Sequence, residues 1–306
     1  MDYELGIIGA GPAGLSASIY AVRAGIKTIV FDKGIGGGLA AIAPNIENYL
    51  GFKSISGIDL IEKMKEHASL YINVNYSECV EKIKKENNAF LIKTDKKEYS
   101  VKSVLFCMGT KYRKLDVPGE KELQGKGVSY CATCDGFFFK NRRVVVIGGG
   151  NSALIEAIYL KQIGCKEVYV IHRRNMLRAE RAYVDEAIKK GVKIIYETRV
   201  TSINGKDKVD YLELDNIKTG EKTKFEVDGV FISIGEEPQS SLAKEMGIKL
   251  DEKGYIIIDR QGRTNITGVY AAGDITGGLR QVITSAAEGA VAALTTTETT
   301  GKKYPY

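Results

Sequence analysis

Two stretches of the chain share one pattern: a short apolar run, a cluster of glycines, and then a segment rich in small and apolar residues. The first apolar run covers residues 3–8 and the second covers residues 143–147. Runs of this length that end in glycine are typical of strands buried in a parallel sheet. The helices and following strands predicted after the two runs cover residues 13–24, 27–31, 152–163 and 167–171. The pattern therefore predicts two β-α-β units in one chain.

The regions outside these two units predict further helices and strands rather than an internal repeat. Residues 200–227 alternate between apolar and polar positions, which indicates an antiparallel meander with turns at Asn204-Gly205 and Thr219-Gly220. Between the two units the sequence predicts a helix, a polar hairpin and a strand, at 59–71, 82–101 and 104–107.

Two polar segments, 111–116 and the glycine- and proline-marked 235–238, are the best candidates for linkers. They enclose the second β-α-β unit, so a central block is inserted into a domain built from both ends of the chain. We therefore predict an α/β fold with two Rossmann-like, three-layer ββα dinucleotide-binding domains. The Thr-rich segment 295–300 is expected to be frayed. The predicted domain built from both ends of the chain covers 1–112 with 240–306, and the predicted inserted domain covers 116–236.

Composition narrows the functional class. The 306 residues are 44% hydrophobic and 27% charged, as in an ordinary globular enzyme. The net charge of +6 comes from scattered basic residues and forms no stripe with interleaved aromatic residues, so we expect no nucleic-acid partner. Residues 5–22 carry no charge, but their glycines and proline favour a strand, turn and helix over a membrane span. Without a basic n-region at the start, a cytoplasmic protein is expected.

The first glycine cluster has the G-x-G-x-x-G spacing at Gly9, Gly11 and Gly14. The first glycine permits a tight turn, the second lets a pyrophosphate approach the backbone, and the third allows close packing of helix and strand. Asp32 ends the next predicted strand, where a carboxylate can accept hydrogen bonds from an adenosine ribose. This context favours a dinucleotide site over an ordinary turn.

The second cluster supplies Gly148, Gly150 and Ala153 in the same spacing. In place of an acidic residue, its next strand ends in basic side chains at His172, Arg173, Arg174 and Arg178. Guanidinium groups suit a 2′-phosphate and have no use for a neutral ribose diol, so this site predicts NADPH rather than NADH. Two sites of opposite ribose chemistry imply two dinucleotides, a hydride donor and an acceptor, and FAD is the expected acceptor.

Cys131 and Cys134 form a Cys-x-x-Cys pair between the two glycine clusters. A structural zinc site needs four ligands, and the chain has no second such pair and only two histidines, so no metal is predicted. A permanent structural disulfide would close a very small loop and add little stability. A redox pair is the remaining interpretation. Asp135 follows the second cysteine directly and can donate or accept a proton, given partial burial by residues 137–139.

These motifs together resemble the low-molecular-weight, prokaryotic thioredoxin reductases, from about residue 3 to about residue 294. The segments that carry the resemblance are Gly9–Gly14, Cys131–Asp135, Gly148–Ser152, His172–Arg174 with Arg178, and Ala272–Asp274 with Arg280-Gln281. The resemblance implies a homodimeric FAD enzyme with the inserted NADPH domain described above. It further implies that Cys134 faces the flavin and that Cys131 attacks the disulfide of a thioredoxin-like protein. The chain departs from the family at Gly38, where relatives often carry glutamine.

The resemblance also implies a set of cofactor contacts. For the segment that ends in Asp274, the residues themselves support this, because an apolar strand there ends in Gly-Asp before a predicted helix, where the carboxylate can accept a ribitol hydroxyl. The predicted FAD residues are Gly9, Gly11, Pro12, Ala13, Gly14, Asp32, Lys33, Gly37, Gly38, Leu39, Asn48, Gly109, Thr110, Gly273, Asp274, Arg280, Gln281 and Val282. The predicted NADPH residues are Gly148, Gly150, Asn151, Ser152, Ala153, His172, Arg173, Arg174 and Arg178.

The resulting hypothesis is an electron path from NADPH through FAD to the Cys131–Cys134 disulfide and on to a thioredoxin-like protein. Rotation of the NADPH domain about the two linkers would let the flavin meet both nicotinamide and disulfide. One alternative is a related flavin-dependent NADPH reductase with another redox partner, such as ferredoxin, a quinone, or a glutaredoxin-like or peroxiredoxin system. A second alternative is a flavin-binding redox sensor without turnover.

Overall fold

The computed structural model describes residues 2–43 and 45–304. The chain divides into two compact units, Met1–Lys111 with Glu237–Tyr306 and, between them, Tyr112–Glu236. The strands are β1 Tyr3–Ile8, β2 Thr28–Phe31, β3 Val80–Glu86, β4 Ala89–Thr94, β5 Glu98–Phe106, β6 Thr110–Tyr112, β7 Val128–Ser129, β8 Arg143–Gly148, β9 Glu167–Ile171, β10 Lys193–Ile195, β11 Thr198–Asn204, β12 Tyr211–Asn216, β13 Lys222–Glu226, β14 Gly229–Ser233, β15 Glu236–Pro238 and β16 Val269–Ala271. The α-helices are α1 Pro12–Arg23, α2 Gly57–Ser69, α3 Ala132–Asp135, α4 Asn151–Gln162, α5 Arg181–Lys189, α6 Ser241–Glu245, α7 Val282–Thr295 and α8 Thr297–Thr300.

The first unit is built on a sheet in the order β2-β1-β5-β4-β3, with β16 paired to the end of β5. The pairs β1-β2, β1-β5 and β16-β5 are parallel, whereas β4 is antiparallel to both β5 and β3. Helices α1 and α7 cover one face over Leu5 and Ile7, and the opposite face buries Phe31 and Phe106. A β-carbon at Gly289 would lie 2.1 Å from the Ala13 carbonyl oxygen, so the crossing of α1 and α7 depends on this glycine.

The second unit contains a fully parallel sheet in the order β10-β9-β8-β14-β7 and an antiparallel sheet β11-β12-β13. The side chains of β8 alternate between the two faces. Val144 and Val146 pack with α4, and Val145 and Ile147 pack with the antiparallel sheet. The sheet therefore lies between a helical layer and a second β layer, and the carboxyl end of β8 leads directly into the second glycine cluster.

Several predicted boundaries differ from the observed ones. The strand predicted to start at residue 104 begins at Glu98, because β5 continues the antiparallel pairing with β4 before it enters the parallel sheet. Strands β6 and β15, which overlap the two predicted linkers, pair as a two-stranded sheet. Within the described ranges, no helix combines the length and apolar character needed to cross a membrane.

The prediction that residues 295–300 are frayed is wrong. These residues end α7 and form α8, and both Thr296 and Thr300 are buried. The hydroxyl of Thr299 shares a hydrogen bond of 2.7 Å with that of Ser103 on β5. Threonine hydroxyls satisfied by helix carbonyls and by the neighbouring strand keep the segment folded, which its polar composition did not indicate.

Candidate active site

The first glycine cluster forms a turn that needs glycine at two of its three positions. Gly9 has a φ of +106°, and a β-carbon there would lie 2.4 Å from the Cys107 carbonyl oxygen. A β-carbon at Gly14 would lie 1.8 Å from the carbonyl oxygen of Gly9. At Gly11 a β-carbon would meet nothing within 4 Å, so the backbone at this position is open to an approaching group. Pro12 and Ala13 begin helix α1.

Asp32, at the end of β2, holds this turn through both carboxylate oxygens. Oδ2 accepts the Ala10 N–H at 2.8 Å and Oδ1 accepts the Gly34 N–H at 2.8 Å. Because two backbone donors orient the carboxylate, it presents a fixed acceptor beside the glycine turn. This is the geometry that a ribose diol requires.

The Gly273-Asp274 turn lies at the end of β16 and is braced from helix α7. The Gly273 N–H donates to the carboxylate of Glu288 at 2.8 Å, and the Ser285 hydroxyl donates to Asp274 Oδ1 at 2.9 Å. Burial raises the pKa of Asp274, and burial likewise raises the pKa of Glu288. Sequence reasoning identified Asp274 but missed Glu288, whose role depends on helix α7 packing behind the turn.

Other predicted FAD residues occupy the same unit in pairs. The Asn48 amide donates to the Gln281 side chain at 2.9 Å, and Arg280 donates to the Tyr255 hydroxyl at 2.9 Å. Lys33 donates to the Gln239 side chain at 2.7 Å. The remaining predicted positions lie where elements begin. Gly37 precedes a short 3-10 helix that starts with Gly38 and Leu39, Gly109 precedes Thr110 at the start of β6, and Val282 begins α7.

The second glycine cluster has similar spacing but different steric demands. A β-carbon at Gly148 would lie 2.7 Å from that of Ala153 and 2.4 Å from the Ser233 carbonyl oxygen. At Gly150 nothing lies within 4 Å, as at Gly11 in the first turn. The third position of the motif therefore tolerates alanine here because the first position has no side chain. Asn151 and Ser152 begin helix α4, and Asn151 exchanges two hydrogen bonds with Glu180.

His172 packs its ring against the backbone of the second glycine turn. Its side chain is 8% exposed, and ring Nδ1 lies 3.1 Å from the Gly148 carbonyl oxygen, which can only accept. A β-carbon at Gly149 would meet the ring at 2.3 Å. Burial lowers the pKa of His172, and the charges of Arg174 and Arg178 add to that effect.

Arg173, Arg174 and Arg178 are exposed around His172. Among the residues that the structure describes, no carboxylate forms an ion pair with any of these three guanidinium groups. The Arg178 N–H donates to the Gly149 carbonyl oxygen at 2.7 Å, which ties its chain segment to the glycine turn. The turn thus carries an unpaired cationic cluster beside it, whereas the first turn carries a carboxylate.

Cys131 and Cys134 form a disulfide, with their sulfurs 2.07 Å apart and their α-carbons 5.3 Å apart. Cys131 is the residue before helix α3, and Cys134 lies within that single turn. The turn directly follows β7, the edge strand of the parallel sheet. The two cysteines are therefore presented at the edge of the same unit that carries the cationic cluster.

Asp135 is buried, with 7% of its surface exposed, and its Oδ2 accepts the Ser129 hydroxyl at 2.5 Å. Burial raises the pKa of this carboxyl, and the Ser129 hydrogen bond opposes the rise. The expected shielding by the following aromatic residues does not occur for Phe137 and Phe138, which are 58% and 51% exposed. The segment instead packs on helix α4, since a β-carbon at Gly136 would lie 2.8 Å from Ile163 and 3.1 Å from Leu160.

Tyr130, the residue before Cys131, is linked through Glu120 to the segment that begins the second unit. The Tyr130 hydroxyl donates to Glu120 at 2.6 Å, and the same carboxylate accepts the N–H groups of Leu115 and Asp116. The Tyr112 ring stacks on the Tyr130 ring with centroids 4.9 Å apart. Residues 112–116 are therefore held to the cysteine segment by a buried carboxylate, a contact that no sequence motif indicates.

Both glycine turns fit dinucleotides in their geometry. Each leaves an open approach to its middle glycine and is followed by a helix start with unpaired N–H groups. The first adds an oriented carboxylate for a ribose diol, and the second adds unpaired guanidinium groups for a phosphate.

Comparison with known proteins agrees with this arrangement. The sequence profile of the pyridine nucleotide-disulphide oxidoreductase family matches residues 3–289. The chain therefore belongs to this family, a class of enzymes that the two dinucleotide-type turns and the disulfide also define.

Individual relatives carry more specific names. A thioredoxin reductase of Bacillus subtilis is 42% identical over 95% of this chain and 92% of its own length. A protein of Clostridium pasteurianum, described as a 34.2 kDa protein in the rubredoxin operon, is 41% identical over 95% of both chains. The crystal structure of a Streptococcus pyogenes thioredoxin reductase superposes with a TM-score of 0.92 at 39% identity, covering 97% of both chains. The predicted α/β fold and the predicted resemblance to thioredoxin reductases are confirmed.

Proposed function

We propose that this protein is an NADPH-dependent thioredoxin reductase that contains FAD. The observation that carries the proposal is the Cys131–Cys134 disulfide, presented by the unit whose glycine turn is surrounded by unpaired arginines. Family membership and relatives of about the same length support the same activity. A reductase for ferredoxin or a quinone would not need a dithiol pair, and a sensor without turnover would have no use for a phosphate-selective coenzyme site.

The two turns receive different cofactors in this proposal. The Gly9–Gly14 turn, Asp32 and the Gly273-Asp274 turn hold FAD, with Asn48 and Gln281 as further polar contacts. The Gly148–Ala153 turn and the arginine cluster hold NADPH. When bound, the flavin accepts a hydride from the nicotinamide and supplies two electrons to a disulfide.

The chain's own residues carry the second half of the reaction. Two-electron reduction of the Cys131–Cys134 bond produces two thiolates, of which one takes up a proton and the other stays available as the nucleophile. Cys131, before the helix turn, is the nucleophile that attacks the partner disulfide, and Cys134 closes the protein disulfide again. Asp135 is buried, and burial raises its pKa, which suits a group that takes and returns a proton during the reaction. A thioredoxin-like protein, a homodimer and a cytoplasmic setting complete the proposal.

The test is turnover of the FAD-loaded protein with thioredoxin-like disulfides, followed through the nicotinamide absorbance with NADPH and, separately, NADH. Wild type is expected to use NADPH far better than NADH. Cys131→Ser is expected to lose disulfide turnover while NADPH still reduces the flavin, because the substitution removes the nucleophile and leaves both glycine turns intact.

The matched control is Cys165→Ser, which changes a buried thiol of the same unit that has no disulfide partner. It should retain turnover. Disulfide turnover by Cys131→Ser at the wild-type rate would contradict the proposal. Efficient transfer to ferredoxin or a quinone with no transfer to any thioredoxin-like disulfide would favour the alternative reductase.

A further inference from the structure

Ser129 forms hydrogen bonds both to the backbone of Cys131 and to the buried carboxyl of Asp135, which follows Cys134. Its hydroxyl donates to Asp135 Oδ2 at 2.5 Å, and its oxygen accepts the Cys131 N–H at 3.1 Å. Ser129 is the last residue of β7 and is only 5% exposed. We infer that Ser129 is a positioning residue that orients the Asp135 carboxyl for proton transfer during exchange between the Cys131–Cys134 pair and a partner disulfide. This inference rests on the proposed function.

The hydrogen bond fixes which carboxyl oxygen can carry the proton. Oδ2 is occupied by Ser129, whereas the buried Oδ1 has no hydrogen-bond partner among the described residues. A buried carboxylate oxygen without a hydrogen-bond donor destabilises the folded protein, so an oxygen left in this state calls for an explanation. Carboxyl groups with a perturbed pKa are concentrated at reactive sites. Ser129 thus leaves one defined oxygen of Asp135 available to a thiol.

Ionisable groups on the neighbouring elements have other partners; Tyr130, between Ser129 and Cys131, donates to the Glu120 carboxylate. Helix α4, which packs against the cysteine segment, carries Glu156, Tyr159 and Lys161. Glu156 accepts the Ser233 hydroxyl, and Lys161 donates to the Lys166 carbonyl oxygen. Residues 136–139 add only glycine and phenylalanine, and the other β7 residue is Val128. Burial and the Ser129 hydroxyl are the two causes that set the pKa of Asp135, in opposite directions.

The exchange balances with one proton carried by Asp135. The Cys131 thiolate attacks one partner sulfur, so a mixed disulfide forms and the first partner thiolate leaves. The Cys134 thiol then gives its proton to Asp135 Oδ1 and attacks the Cys131 sulfur, which releases the second partner thiolate. Asp135 returns the proton to a partner thiolate. Two electrons pass from the protein dithiol to the partner disulfide, and Asp135 must be ionised at the moment it accepts the proton.

This requirement gives the inference a directional test. Ser129→Ala removes the hydrogen bond that favours the ionised carboxyl, so the acid limb of the exchange rate should move to higher pH. The rate near neutral pH should fall roughly tenfold to hundredfold, as for loss of a hydrogen bond to a charged group. Ser129→Thr keeps the hydroxyl and should restore both the limb and the rate.

The experiment uses the full-length, FAD-loaded protein, reduced chemically and freed of reductant under anaerobic conditions. Oxidation of its dithiol by a thioredoxin disulfide is followed by stopped flow between about pH 5 and about pH 9, which spans the range of perturbed carboxyls and thiols. The control is Ser202→Ala, another buried serine of this unit whose hydroxyl donates to a carboxylate, Glu213, at 2.8 Å. It should leave the profile unchanged.

An unchanged acid limb in Ser129→Ala overturns the inference, whether or not the rate falls, because a merely structural role would lower the rate without moving the limb. If Ser129→Ala does not fold, Asp135→Asn decides: it must change the acid limb to that of the Cys131 thiol alone, and a profile identical to that of wild type overturns the inference. The proposed function fails separately, when the wild-type protein shows no NADPH-driven disulfide turnover, because the exchange measurement uses no NADPH.

Discussion

The two glycine turns share a motif spacing but are stabilised by opposite chemistry. In the first, the Asp32 carboxylate accepts two backbone N–H groups at the end of β2. In the second, the His172 ring takes the corresponding place at the end of β9 and contacts the Gly148 carbonyl oxygen. The carboxylate accepts hydrogen bonds from backbone N–H groups, whereas the imidazole donates one to a backbone carbonyl oxygen. The first turn is therefore flanked by a carboxylate, and the second by exposed arginines.

The turns also differ in which glycine is indispensable. At the first turn, the Gly9 carbonyl oxygen occupies the space that a side chain at residue 14 would need. At the second, Ala153 fills the equivalent position and Gly148 provides the room for it. The spacing of the motif is therefore less informative than the sterics, because one pattern of glycines covers two different packings.

The largest expected effect comes from adding one methyl group to the first turn. Gly14→Ala would place a β-carbon 1.8 Å from the Gly9 carbonyl oxygen, against backbone that cannot move aside. We expect a loss of about 3 kcal/mol in the free energy of unfolding, the upper range for overpacking, together with loss of FAD binding. The reverse change in the second turn, Ala153→Gly, should cost about 1 kcal/mol and retain NADPH binding. Denaturant unfolding and cofactor titration of both variants would check this; equal costs would contradict the steric difference.

A smaller effect is expected at the cationic cluster. Replacing Arg173 and Arg174 together by alanine should raise the KM for NADPH roughly tenfold to hundredfold, since hydrogen bonds to a charged phosphate are lost. The KM for NADH should stay the same. Arg181→Ala is the matched control, because Arg181 is exposed on nearby α5 and is already paired with Asp185. Steady-state kinetics with both coenzymes decides, and an equal rise for NADH would mean that the cluster does not recognise a phosphate.

The smallest effect concerns pH. Because the pKa of His172 is lowered in the folded chain, the unfolded chain binds the proton more readily. Stability of the second turn should therefore be fully present above the ordinary histidine value of 6.5 and be lost as the pH falls through and below it. His172→Asn should flatten this dependence, whereas His67→Asn, which changes the other, exposed histidine, should not. The measurement is the free energy of unfolding at several pH values across the acid range. The same dependence of this free energy on pH in wild type and His172→Asn would contradict the proposed effect of burying His172.

The sequence predicted the elements that rest on local pattern. The strands at Tyr3–Ile8 and Glu167–Ile171 were placed to the residue, and the helices after both glycine clusters to within one residue at each end. Alternation of apolar residues and the sterics of glycine act over a few positions, so they can be read from the chain alone.

The supporting residues of the site could not be predicted in this way. Glu288 reaches Gly273 from a helix packed behind the turn, and Glu120 receives Tyr130 together with two N–H groups of residues 115–116. Ser129 lies two residues before Cys131 in the sequence, but its hydrogen bond to Asp135 depends on the helical turn that folds the carboxyl back onto β7. These contacts arise from tertiary packing. The prediction that the Thr-rich segment 295–300 is frayed was wrong for the same reason, since the hydroxyl of Thr299 bonds to Ser103 on another element.

The central claim is that electrons from NADPH reach the Cys131–Cys134 bond through a bound flavin. Anaerobic titration of the FAD-loaded protein with NADPH, followed by alkylation and mass mapping of thiols, tests it most directly. The account predicts bleaching of the flavin and the appearance of two new thiols per chain, at Cys131 and Cys134. Bleaching without new thiols at these two positions, or no bleaching at all, would contradict it.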